Sequence, residues 1–141
     1  MKKVYVSDTN IWIDFRNAGL LEALFQLPFT LCSTDFVVSE LHDLPVDRLV
    51  ELGLRVEGID AQGIAELYAL SEAQRNSSLA DVSCYFLARL TGHPLLTGDG
   101  RLRKQAARDG LDVFGVLWLL DRLVEFGVIE PARAAAALEA M

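Results

Sequence analysis

Short apolar runs alternate along this chain with segments of helical periodicity, and that alternation constrains the fold more than any other feature. The runs are residues 3–8, Phe29 to Ser33, Leu54 to Val56, Pro94 to Thr97 and Val113-Phe114. Each is short enough to be a strand buried on both faces. Between them lie helical patterns. Leu20, Leu21, Leu24 and Phe25 share one helical face, and so do Phe36, Val37, Glu40 and Leu41 behind a cap at Thr34 or Asp35. Val46 to Leu52 is a further short helix. Asp60 caps a helix carrying Ile64, Leu67 and Tyr68. After the loop Asn76-Ser77-Ser78, the spacing of Leu79, Val82, Phe86 and Leu90 predicts one packed face, ending at Gly92. A basic helix stops at Gly110, another carries Val116, Leu120, Leu123 and Val124, and Pro131 opens an Ala-rich helix to Met141. Strand–helix alternation throughout predicts an α/β fold, with a parallel sheet covered on both faces and right-handed crossovers.

Composition narrows the class. The 141 residues are 52% hydrophobic, enough for one globular domain over 1–141 with a substantial core. No apolar stretch approaches the roughly 20 residues of a membrane span, and the amino terminus does not read as a signal peptide. Cys32 and Cys84 sit among apolar neighbours, which predicts buried free thiols in a reducing cytoplasm. No Cys/His spacing fits zinc. The net charge of −7 argues against simple adhesion to nucleic acid. Two bound divalent cations would offset more than half of it. Positive charge is also uneven, with Arg101, Arg103, Lys104 and Arg108 clustered on the one basic helix.

Four acids fall where a hydrolytic metal site needs them. Asp8 ends the first apolar run and Asp99 the fourth, while Glu40 and Asp81 lie in helical segments. In open α/β sheets, functional groups collect beyond the carboxyl ends of strands, so these four converge if the sheet is parallel. Such a cluster repels itself unless cations neutralise it, and hard oxygen ligands suit Mg²⁺ or Mn²⁺. Each acid also has a plain structural reading. Asp8-Thr9-Asn10 offers three good helix caps, Glu40 resembles an ordinary solvated glutamate, Ser78-x-x-Asp81 resembles a capping box, and Asp99 fits a tight turn between two glycines.

Supporting residues surround the acids. Asn10 offers a hydrogen bond to a phosphate or a metal-bound water, and Thr97 orients a carboxylate or a water. Arg103 and Lys104 are candidates for a phosphate clamp, with Arg16 a further one. Trp118, near Arg122 and Glu125 on the less apolar side of its helix, reads as partly buried or as a partner contact.

Taken in order, these motifs resemble a PIN domain, the metal-dependent ribonuclease fold found in VapC-type toxins. Val6-Ser7-Asp8-Thr9-Asn10-Ile11 is similar to the family's opening strand and first acid, and Ser39-Glu40-Leu41 to its helical glutamate. Leu79-Ala80-Asp81 resembles the third acid, and Leu96-Thr97-Gly98-Asp99 with Leu102 the fourth. The resemblance covers residues 3 to about 115. It implies a three-layer sandwich around a five-stranded parallel sheet, and a groove in which Asp8, Glu40, Asp81 and Asp99 hold Mg²⁺ or Mn²⁺ to hydrolyse RNA. It also implies a homodimer and, for toxin members, inhibition by a cognate antitoxin. Residues 115–141 depart from it by adding two helices.

Two other classes compete. A noncatalytic PIN-like interaction module would use the acids as caps and surface charges. A phosphatase of the haloacid dehalogenase type would use Asp8 as nucleophile, but the position two residues on is Asn10, which cannot serve as a carboxylic acid.

Overall fold

The computed structural model describes residues 2–141. Five strands, β1 (Val4–Ser7), β2 (Thr30–Thr34), β3 (Arg55–Glu57), β4 (Leu95–Leu96) and β5 (Val113–Phe114), form one sheet in the order β3-β2-β1-β4-β5. Every pairing is parallel. The chain runs outward from β1 to β3, then crosses back to β4 on the other side of β1. That reversal creates a switch point between β1 and β4, where crevices form in parallel sheets.

Eight helices connect and cover the strands: α1 (Thr9–Asn17), α2 (Asp35–Glu40), α3 (Val46–Leu52), α4 (Ala61–Ala73), α5 (Leu79–Thr91), α6 (Gly100–Arg108), α7 (Val116–Glu125) and α8 (Pro131–Ala140). Consecutive residues of β1, β2 and β4 are buried. Neighbouring side chains point to opposite faces of a sheet, so both faces are covered. Helix α5 packs on β1, β2 and β4 and is flanked by α2, α4 and α6, while α1, α8 and α7 contact one another in series.

Two expectations need correction. The first helix does not carry the Leu20–Phe25 face. It begins at once after Asp8, ends at Asn17, and turns through Gly19 at φ 70. The leucine-rich stretch forms only a 3₁₀ turn, Glu22–Gln26. Leu27 is extended (ψ 147) because it precedes Pro28, which disfavours helical geometry there. The second correction concerns α5. Its buried residues run without a break from Ala80 to Ala88, whereas Leu90 is 70% exposed. The helix is enclosed between the sheet and other helices, so its middle is apolar or small all round, and Leu90 lies past the enclosed part.

Polar side chains tie the core together beneath the switch point. The fully buried Trp12 donates its indole N–H to Ser33 Oγ at 2.8 Å, and Ser33 Oγ donates to the Ser7 carbonyl at 2.6 Å. One hydroxyl thus joins α1, β2 and the last residue of β1. Ser33→Ala leaves the indole N–H buried without a partner, which costs about 1–3 kcal/mol. Urea denaturation should show that loss, and unchanged stability would mean the bridge contributes nothing.

Candidate active site

All four acids named from the sequence lie at the carboxyl-end side of the sheet. Asp8 follows β1 and is fully buried. Its Oδ1 accepts from the Ile11 amide at 3.1 Å, capping α1. Its Oδ2 accepts from Thr97 Oγ1 at 2.5 Å, across to the end of β4. The structural reading and the site reading of Asp8 therefore coexist, one on each oxygen.

Asp99 caps α6, accepting at Oδ1 from the amides of Arg101 (2.9 Å) and Leu102 (3.2 Å). Its other oxygen accepts from Ser77 Oγ at 2.7 Å. The Asp99 amide donates to Thr97 Oγ1 at 3.0 Å, so one threonine hydroxyl links the first and fourth acids. Glu40, exposed at the last residue of α2, accepts from Thr9 Oγ1 at 3.2 Å. Asp81 lies in the first turn of α5, with its amide capped by Ser78 Oγ at 3.0 Å.

Electrostatics brings the four together. Burial pushes the Asp8 carboxyl up to about 7, with Asp81 and Asp99 adding to the rise and the Thr97 hydroxyl opposing it. Burial also raises Asp81, with the Ser78 hydroxyl and the Thr9 amide opposing the rise and repulsion from Asp99 and Glu40 adding to it. Asp81 and Asp99 thus act on Asp8, and Asp99 and Glu40 act on Asp81, while among the described residues no three such groups are spaced to hold a metal ion. The Oδ1 atom of Asp81 is buried and makes no hydrogen bond of its own, although the Ser78 hydroxyl and the Thr9 amide lie close enough to favour the ionised carboxyl. An orphaned carboxylate oxygen is costly to bury, and a hard divalent cation is the natural partner for it among oxygen-only donors. The donor chemistry of the four acids suits such an ion, although no three of them are spaced to hold one in this arrangement.

The other candidates separate into two groups. Thr97 is fully buried and its hydroxyl is engaged on both sides, which places it in the floor as a positioning group. Asn10, Arg103, Lys104 and Arg16 are all exposed. Ser77, Thr9, Ser33 and the buried Thr34–Ser83 pair (2.6 Å) were not singled out for the site. Ser83 Oγ also donates to the Ala80 carbonyl at 2.5 Å, which ties β2 to the turn of α5 that carries Asp81. The Ser-x-x-Asp spacing at Ser78 was visible; the long-range partners had no local signal.

The raised Asp8 value sets a pH dependence. Its folded value of about 7 lies above the ordinary 3.8, so between the two the native chain holds more protons than the unfolded one. In metal-free protein this group makes stability fall as pH rises from about 4 to 7, then level off. Asp8→Asn should flatten that part of the profile and raise the melting temperature at neutral pH. Thermal melts in EDTA across this range check it, and parallel profiles for the two proteins would contradict it.

A family model described as DUF3368: PIN domain matches residues 4–141, a span that includes α7 and α8. Among curated proteins, none matches. A PilT N-terminus domain protein from the hyperthermophilic archaeon Sulfolobus solfataricus P2 is similar in structure, with a TM-score of 0.62 at 14% identity, over 90% of this chain and 94% of that one. At that identity the likeness speaks for the fold alone. With the five-stranded parallel sheet, the acids at its switch point and the family match, the chain belongs to the PIN-domain family, whose members are generally metal-dependent nucleases.

Proposed function

We propose that this protein is a Mg²⁺- or Mn²⁺-dependent endoribonuclease of the VapC toxin type. It acts in the cytoplasm as a homodimer and is held in check by a cognate antitoxin. The observation that carries the nuclease reading is the unpartnered, buried Asp81 Oδ1 in the same charged neighbourhood as Asp8, Asp99 and Glu40. The toxin, antitoxin and dimer assignments rest on the family resemblance.

Asp8, Asp81, Asp99 and Glu40 would hold the cation. When bound, it supplies Lewis-acid charge and a water activated at neutral pH. The chain's own groups do the remaining work. Thr97 holds Asp8 and the Asp99 amide in a fixed relation, and Ser77 fixes the second Asp99 oxygen. Thr9 anchors Glu40 at the site's edge. Rigid carboxylates avoid reorganisation when charge develops on a phosphoryl oxygen. Exposed cations on α6 attract the RNA backbone that a net charge of −7 would otherwise repel.

The test is cleavage of a mixed RNA pool in Mg²⁺, Mn²⁺ and EDTA by wild type, Asp8→Asn and Asp99→Asn. Cutting should require the divalent ion and fall by about 10²–10³-fold in either variant, the scale of losing one transition-state stabiliser. The Asp8→Asn chain should stay folded by circular dichroism. Full activity in either variant, or cutting that persists in EDTA, would overturn the assignment.

A further inference from the structure

An open cleft of about 500 Å³ lies past the ends of β4 and β5, between α6 and the start of α7. It adjoins the acid site directly, because Thr97 lines the cleft and also donates to Asp8. One wall is aromatic. Phe114 and Trp118 are stacked with centroids 4.3 Å apart and both are half-buried; Trp118 also packs on Tyr5 and Phe29 with Arg122 over its ring, so each ring offers the cleft only part of its surface. Arg103 and Asp121 also line the cleft.

Gly115 explains how Arg103 fits there. A Cβ at this position would meet Arg103 Nη1 at 2.7 Å. The glycine backbone itself (φ −139) is open to any residue, so what the position requires is space for the guanidinium. Among the described residues, neither Arg103 nor Arg101, Lys104 or Arg108 has a carboxylate partner, and all four are exposed. In a chain with seven excess negative charges, unpaired cations grouped beside an acid site call for an anionic partner.

We propose that this cleft is the subsite for one unpaired nucleotide of the RNA substrate, neighbouring the phosphate that is cut. It rests on the nuclease reading above. The base lies against the Phe114–Trp118 wall, and its phosphate meets Arg103. Asp121 would repel a phosphate, so the backbone runs on the α6 side and the base points toward α7. The cleft is within the size range of small-ligand sites. A base paired in a duplex would first have to flip out of its stack at an energetic cost, which favours single-stranded RNA. Aromatic walls serve every base through its π face, so the subsite recognises an unpaired base more than a particular sequence.

The experiment measures binding and cutting separately with the full chain. The probes are eight-nucleotide single-stranded oligoribonucleotides, each abasic at one position, and the duplex of the same sequence. Affinity is read by anisotropy in EDTA, where no metal-dependent cutting occurs, and cleavage is then read in Mg²⁺. One abasic position should lose about tenfold in affinity. Trp118→Leu keeps the wall apolar but removes its extended π face, and should erase that positional penalty. Arg103→Ala should weaken all probes and lower the salt slope by about one. Gly115→Ala keeps every charge and displaces the guanidinium, so it should weaken binding in the same direction. Circular dichroism melts verify folding; Arg103→Ala and Gly115→Ala alter the cleft surface and keep the test decisive if Trp118→Leu unfolds.

A flat abasic profile, tighter binding of the duplex, or affinity unmoved by Arg103→Ala and Gly115→Ala would each overturn the subsite. That last result would leave the cleft to a protein partner. RNA cut in Mg²⁺ with none of these sensitivities would sink the subsite and spare the nuclease. A positional penalty in binding with no cutting in Mg²⁺ or Mn²⁺ would sink the nuclease reading and leave the cleft as a nucleotide-binding site only.

Discussion

The arrangement of this protein turns on one carboxylate. Asp8 is fully buried, yet both of its oxygens are used: one caps α1 and the other receives the Thr97 hydroxyl from beyond β4. The strands β1 and β4 flank the point where the sheet reverses its order. The same group therefore starts a helix, joins the two central strands across the switch point, and carries the charge that a divalent ion would use. Burial raises its proton affinity to about 7, so the acid is poised near neutrality and is not simply a solvated anion.

Around it the core is unusually polar for its depth. Ser7, Ser33, Thr34, Ser83 and Thr97 have no exposed surface. Their hydroxyls bind one another, the Trp12 indole and backbone carbonyls. A satisfied buried network specifies one geometry, because any displacement strands a polar group in a low-dielectric interior. That rigidity serves carboxylates that must stay close despite mutual repulsion. The Asp81 Oδ1 atom is left outside this network.

Local rules read from the sequence found most elements. Val46–Leu52 has the expected bounds, Asp60 and Ser78 cap their helices, and Gly92 and Gly110 end theirs at positive φ. Failures came where neighbours overrode periodicity. Pro28 held the leucine-rich segment to a 3₁₀ turn, and enclosure of α5 erased the distinction between its faces. The sequence alone points to the four acids that the structure gathers at the carboxyl end of the sheet. The hydroxyls that position them were missed, except Thr97, because a serine that binds 22 residues away looks like any loop serine. Trp118 stood out as half-buried or partner-facing, and its stack on Phe114 fills the first description while leaving the cleft wall for the second.

By itself the sequence determined the order of strands and helices, the caps, and which acids end which segments. Those properties depend on contacts within a few residues, where spacing and side-chain chemistry are sufficient. Tertiary structure alone decided that Asp8 meets Thr97 across 89 residues, that Thr9 meets Glu40 across 31, and that Arg103 finds room over Gly115. Such partners are set by the crossover from β3 to β4 and by the packing of α5, α6 and α7, which no local pattern encodes. The chemistry was written in the residues, but their convergence is a product of the sheet order.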